Sequence, residues 1–251
     1  MIQTLKKYVR KLGILGGMGP EATASLYLGI ITRCQHELNA KYNSDFPPII
    51  IDSCPVPDGQ MWKDFDKTEV ERVLRANVRI LEKAGVDFIA IPCNSVHYFL
   101  PLMRKSVHIP ILSIVEETAR AIKKRGLTSV LLFATEFTMT TQIFDQHLDE
   151  QGIQLVKPST SEQRQVQNII IRIESGRRYK SDREALVRII RAKMKRNSIQ
   201  GLVAGCTEIP LLLHQGEIPV PLFDTIDVLA TSAYALIRGK INFDKGRMHQ
   251  P

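Results

Sequence analysis

The sequence predicts an α/β protein of two pseudosymmetric domains, each a mostly parallel sheet flanked by helices. Three observations carry that prediction. Short apolar runs alternate with amphipathic stretches, as strand–helix units of a parallel sheet do. The alternation completes one round and restarts at Ser129. Each round ends on a similar peptide, Phe88-Ile89-Ala90-Ile91-Pro92-Cys93 and Gly201-Leu202-Val203-Ala204-Gly205-Cys206. Comparable spans separate Gly16 from Cys93 and Ala134 from Cys206, which reads as a duplicated unit.

The elements follow in order. Leu12 to Leu15 is a first strand, and Gly16-Gly17-Met18-Gly19 is a tight turn out of it. Pro20 starts a helix to about Leu38, because proline suits the first helical turn. Pro48 to Asp52 is a second strand. Thr68 to Lys83 is a helix with Val70, Val73, Leu74, Val78 and Leu81 on one face. Phe88 to Ile91 is a third strand, and Asn94 is expected to open another helix. Ile109 to Ile114 holds a fourth strand, followed by a helix over Glu116 to Lys124. In the second round, Ser129 to Ala134 is a strand, Thr135 to Thr138 a turn, and a helix runs on to about Glu150. Ile153 to Val156 and Leu202 to Ala204 are strands, with helices over Glu162–Glu174 and Asp182–Lys195 between them. Pro219 to Phe223 is a last strand, Asp227 to Arg238 a last helix, and the remainder a loose tail. The expected domains are residues 1–113, joined by 220–251, and residues 114–219.

Composition narrows the class. The 251 residues are 44% hydrophobic and 24% charged, ordinary for a globular chain. No apolar run approaches the roughly 18–20 residues that cross a bilayer. No apolar h-region follows the basic start, so a cytoplasmic location is expected, with no membrane partner. The net charge of +8 raises the question of nucleic acid. The densest basic stretch, Arg177 to Lys195, also carries Asp182 and Glu184, and reads as a solvated helix face rather than a groove-binding surface. No nucleic-acid partner is expected. The four cysteines show no C-x-x-C pair and no regular spacing, so neither a zinc site nor a disulfide framework is expected. Cys34 and Cys54 read as small structural hydrophobes.

The chemistry is expected at Cys93 and Cys206. In parallel sheets ligands bind beyond the carboxyl ends of the strands. Two such ends facing each other would put one thiol on each side of a small anionic substrate. Each cysteine precedes a small polar residue able to cap a helix, and a helix N-terminus there would lower the thiol pKa. Inverting an amino acid takes a proton from one face of Cα and returns one to the other. One thiolate and one thiol do this directly. Backbone N–H groups with Asn94, Ser95 and Thr207 would stabilise the charge on the carboxylate side. The glycine turn lacks the spacing of a nucleotide-phosphate loop.

Four segments resemble the cofactor-independent aspartate/glutamate racemase superfamily, most closely its aspartate racemase branch. They are Gly13 to Pro20, Pro92 to His97, Ile114 to Thr118 and Gly205 to Glu208. The similarity runs from Leu12 to about Arg238. It implies two α/β domains with the active site in the cleft between them, no pyridoxal phosphate or other cofactor, no metal, and a homodimer. It implies Cys93 and Cys206 as the two bases. Asn94, Ser95 and Thr207 match residues that hold the carboxylate and amino groups, while Met18 and Thr135 match cleft-lining positions. Glu208 stands where glutamate racemases carry histidine, and is placed with the substrate-binding group. The implied substrate is aspartate or glutamate.

Two positions depart from the pattern. The family's arginine for the distal carboxylate is Gly59 here, and a second basic residue falls at Glu174. Arg172, Arg177 or Lys63 are possible substitutes, and a different side chain on the substrate, even a cationic one, is the alternative. His97 reads either as a hydrogen-bonded structural residue or as a proton relay. Two rival functions stay open: a sister enzyme of the maleate isomerase or hydantoin racemase type, and a non-catalytic amino-acid sensor.

Overall fold

The computed structural model describes residues 8–57 and 65–243. Gly59 and Lys63 lie outside the described residues. The chain divides into two units, one through Ile114 and again from Leu229, the other Val115–Val228.

The first unit holds β1 (Leu12–Gly16), α1 (Pro20–Leu38), β2 (Ile49–Ser53), α2 (Lys67–Lys83), β3 (Phe88–Ala90), α3 (Leu100–Arg104) and β4 (Ile111–Leu112). Its sheet is parallel throughout, in the order β2-β1-β3-β4. Every residue of β1 and β3 is buried, whereas the edge strand β2 is partly exposed. This is why the inner strands read as unbroken apolar runs. Helix α2 buries Val70, Leu74, Val78 and Leu81 against this sheet, and Asp66 caps it by accepting from the N–H groups of Thr68 and Glu69. A fully buried leucine or valine of this kind contributes about 1.5–3 kcal/mol.

Helix α4 (Ile114–Lys124) carries the chain across to the second unit, which holds β5 (Ser129–Phe133), α5 (Glu136–Thr141), α6 (Asp145–Asp149), β6 (Gln154–Val156), α7 (Thr160–Glu174), α8 (Lys180–Asn197), β7 (Gly201–Ala204) and β8 (Leu222–Asp224). The order, β6-β5-β7-β8, repeats that of the first sheet, again all parallel. Helix α9 (Thr225–Ile237) then leads back to the first unit. The chain from 220 to 228 stays with the second unit, where the sequence reading assigned it to the first. The reason is the pairing of β8 with β7, Ala204 opposite Asp224, with the Thr225 hydroxyl donating to the Ala204 carbonyl at 3.0 Å.

One local expectation changes. Thr135 is the N-cap of α5, accepting from the Thr138 N–H. The helix does not run on to Glu150. Thr140 and Thr141 hydrogen-bond back to the carbonyls of Glu136 and Phe137, and Gln142 turns left-handed at φ 55°. Back-bonding threonines and a left-handed residue end a helix. The basic helix α8 is a solvated face, with Arg183 paired to Glu217 and Lys193 to Glu162. Cys34 and Cys54 are buried free thiols. Among the described residues no helix is long and apolar enough to cross a membrane.

One half-buried carboxylate is costly. Asp52, at the end of β2, has a buried Oδ2 with no hydrogen-bond partner among the described residues, and burial raises its pKa. A raised carboxyl pKa means stability that is present at acid pH and lost as pH rises through the folded-state value. Asp52→Asn is expected to raise the melting temperature at pH 7 and to leave it nearly unchanged below pH 4, as read by calorimetry. A lower melting temperature at pH 7 would show that the charged form is stabilised instead.

Candidate active site

Each unit carries one of the two candidate cysteines just beyond the carboxyl end of an inner strand. In the first unit β1 leads into Gly16-Gly17. A side chain on Gly17 would meet the Cys54 carbonyl at 2.4 Å, and its φ of +91° is open to glycine at little cost. Thr23 locks the turn, accepting from the Gly17 N–H at 2.9 Å and donating to the Gly19 carbonyl at 3.0 Å. Met18 is half-buried and packs on the apolar cluster of Leu15, Cys54, Ile91 and Val96, the cluster that Cys93 also touches. The glycine turn and the first thiol therefore share one wall.

Cys93 follows β3 by three residues and is half-buried. Asn94 and Ser95 are 3% and 6% exposed. The helix expected to open at Asn94 is present, and it begins as a 3₁₀ segment that runs directly into α3. Asn94 sits in helical backbone without a side-chain cap, and residues Ser95–Phe99 form a 3₁₀ helix. The loop is closed by the His97 N–H donating to the Asn94 carbonyl at 3.0 Å. A 3₁₀ segment leading into a five-residue α-helix supplies less of the dipole than a long α-helix would bring to a thiol.

His97 is 5% exposed, and both its ring nitrogens are engaged. Nδ1 lies 2.7 Å from the Cys93 carbonyl, and Nε2 accepts from the Ile114 N–H at 3.1 Å. A carbonyl needs a donor and an N–H needs an acceptor, so the ring is neutral with its proton on Nδ1. Of the two sequence readings this supports the hydrogen-bonded structural residue, because neither nitrogen is left to relay a proton.

In the second unit Cys206 follows β7 by two residues and is 7% exposed. Here a short 3₁₀ turn, Ile209–Leu211, stands where a helix was expected, closed by the Ile209 N–H on the Cys206 carbonyl at 3.1 Å. Glu208 is buried beside the thiol. Its Oε2 accepts from Cys206 Sγ at 2.9 Å and from the Thr207 hydroxyl at 2.9 Å. Glu174, at the end of α7, brings its carboxylate to the same place. The three ligand-type atoms of Glu174, Cys206 and Glu208 lie within 4.8 Å of one another. Holding a metal there would require the thiolate, whereas in this arrangement the Cys206 thiol donates to Glu208.

The electrostatics at Cys206 reverse the sequence expectation of a lowered thiol pKa. Burial pushes the Cys206 thiol well above the ordinary cysteine range, and the Glu208 carboxylate, then Glu174, push it further. A buried thiol beside negative charge keeps its proton. Thr135, 4% exposed at the end of β5, spends its hydroxyl on capping α5.

Supporting residues beyond the sequence reading are Gln163, Gln167 and Thr225. The Gln163 amide donates to the Ala134 carbonyl and Gln167 accepts from the Glu136 N–H, so α7 fixes the turn after β5. Their i,i+4 spacing puts them on one helix face and was the available signal. Thr225 holds the carbonyl of Ala204, two residues before the thiol.

Comparison with known proteins decides the family. The Asp/Glu/Hydantoin racemase model matches residues 15–233. The chain belongs to the Asp/Glu/hydantoin racemase family. It is 29% identical over 223 residues to the broad specificity amino-acid racemase RacX of Bacillus subtilis, covering 88% of this chain and 95% of that one. The crystal structure of an aspartate racemase homologue from Pyrococcus horikoshii aligns with a TM-score of 0.79 at 30% identity, over 91% and 99% of the two chains. An aspartate racemase from Picrophilus torridus shares the fold, with a TM-score of 0.73 at 24% identity over 92% and 95%. Membership makes this family protein an isomerase of the racemase class.

The Glu208 contact is open to test. Glu208→Gln is expected to move the pH midpoint of iodoacetamide labelling at Cys206 downward, with labelling at Cys93 unmoved, as resolved by mass spectrometry. An unchanged Cys206 midpoint would show that burial alone sets it.

Proposed function

We propose that this racemase inverts an α-amino acid without pyridoxal phosphate, using Cys93 and Cys206 as the two acid/base groups on opposite faces of Cα. The observation that carries this reading is the matched placement of the two thiols. Each stands just beyond an inner strand, in sheets of identical order.

The two thiols start in different states. Cys206 keeps its proton, because burial and the Glu208 carboxylate both favour the thiol. It therefore enters the reaction as the acid, and Cys93 as the base. Cys93 thiolate takes the Cα proton from one face, leaving the electron pair on the substrate carbanion. The Cys206 S–H then donates its proton to the other face. Cys93 ends as thiol and Cys206 as thiolate, and the reverse reaction or exchange with water restores the start. Asn94, Ser95 and Thr207 would hold the substrate's carboxylate and amino groups, where fixed donors lower the barrier to carbanion formation. Glu208, assigned by the sequence to the substrate, acts in this scheme through Cys206.

Aspartate and glutamate are the first substrates to try. Two observations widen the panel: the carboxylates of Glu174 and Glu208 stand beside Cys206, and the Bacillus relative is described as broad in specificity. The test is Cα hydrogen–deuterium exchange in deuterated water, followed by proton NMR with no added cofactor. The panel spans L- and D-Asp, Glu, Lys, Arg and neutral amino acids. Expected is exchange with inversion for at least one pair, lowered on the order of 10³-fold by Cys93→Ser or Cys206→Ser. No exchange with any member in fully reduced protein would overturn the reading in favour of a sister reaction or a sensor.

A further inference from the structure

We propose that His97 is a positioning residue for the first thiol, acting through the Cys93–Asn94 peptide. The inference rests on the assignment of Cys93 as a base. Its material is the pair of bonds described above, Nδ1 to the Cys93 carbonyl at 2.7 Å and Nε2 from the Ile114 N–H at 3.1 Å.

The Ile114 N–H is the first of α4. The first N–H groups of a helix have no partner within it and need an outside acceptor. Nε2 supplies that acceptor from 17 residues away. An acceptor at Nε2 forces the remaining proton onto Nδ1, and Nδ1–H then points at the Cys93 carbonyl. The helix start thus selects the imidazole tautomer, and the tautomer sets the peptide.

The peptide bond is planar and trans, so its C=O and N–H lie on opposite sides. Holding the Cys93 carbonyl therefore fixes the direction of the Asn94 N–H, the backbone donor adjacent to the thiol. It also fixes the plane from which the Cys93 side chain departs. Ile114 is the last residue of the first unit before the chain passes into the second. His97 thereby ties the Cys93 loop to the point of crossing.

The two bonds separate by substitution. Asparagine places an amide N–H near the position of Nδ1, keeping the donor to Cys93 and losing the acceptor for Ile114. Glutamine places an amide oxygen near the position of Nε2, keeping the acceptor and losing the donor. In the full chain, His97→Ala and His97→Gln are expected to lower kcat about 10²-fold, the cost of a misplaced reacting group. His97→Asn should recover to within about 10-fold of wild type, whatever its melting temperature. Site-resolved iodoacetamide labelling should change at Cys93 by about 10-fold in the Gln variant against the Asn variant, with Cys206 unmoved. In the wild type, nitrogen-15 NMR should show the ring neutral and protonated on Nδ1.

Equal kcat in the Asn and Gln variants would overturn the proposal, as would Cys93 labelling unmoved in both or a ring protonated on Nε2. Should the Ala variant fail to fold, the Asn and Gln pair and the wild-type spectrum decide. Should no amino acid be racemised, labelling and spectrum still report on His97, so its failure and that of the racemase reading stay separate.

Discussion

Parallel pairing of the inner strands is the constraint on which everything at the two thiols depends. β1 pairs with β3 and β5 with β7, all buried, and each pair ends at the same edge of its sheet. A parallel sheet sends every strand out at one end, so the turn after β1 and the loop after β3 emerge together. That is how Met18 and Cys93 come to rest on one apolar cluster. The same geometry in the second unit brings Thr135, after β5, to the end of the sheet that bears Cys206. On the proposed reading the chemistry sits on loops, and the loops are aimed by strands that hold none of its polar side chains.

The surroundings of the two cysteines share a frame and differ in electrostatics. Around Cys93 the structure supplies backbone-directed hydrogen bonds, with His97 fixing a carbonyl and an N–H. Around Cys206 it supplies carboxylates, with Glu208 on the thiol itself and Glu174 close by. The proposed two-base mechanism needs one thiolate and one thiol before the Cα proton is taken. A duplicated fold with identical surroundings would leave open which cysteine is the thiol. Glu208 breaks that symmetry in favour of the thiol at Cys206.

Much of this was legible in the sequence, for reasons that can be named. Val70, Leu74, Val78 and Leu81 mark a helix face by their spacing, and Pro20 marks a helix start by its fixed φ. Cys93 and Cys206 announce a repeat because the runs before them match. Contacts made at a distance were less legible. Nothing near His97 shows that its ring will meet Ile114, and nothing near Glu174 shows that it will reach Cys206. The state of the Cys206 thiol was misread for a related reason. A small polar residue after an apolar run signals a helix cap, but at Cys206 the chain closes through i→i+3 bonds into a 3₁₀ turn. The charge environment then comes from Glu208 and from burial, which act in the opposite direction to a helix dipole.

The central claim is that both sulfurs address one carbon from opposite sides. It is tested most directly by a crystal structure of the protein with its amino-acid substrate bound, reading the two sulfur-to-Cα distances. The account predicts Cys93 Sγ and Cys206 Sγ each at roughly 3–3.5 Å from Cα, the spacing of a near-attack geometry, on opposite faces. A bound amino acid with either sulfur on the same face as the other, or well beyond reach of Cα, would contradict it.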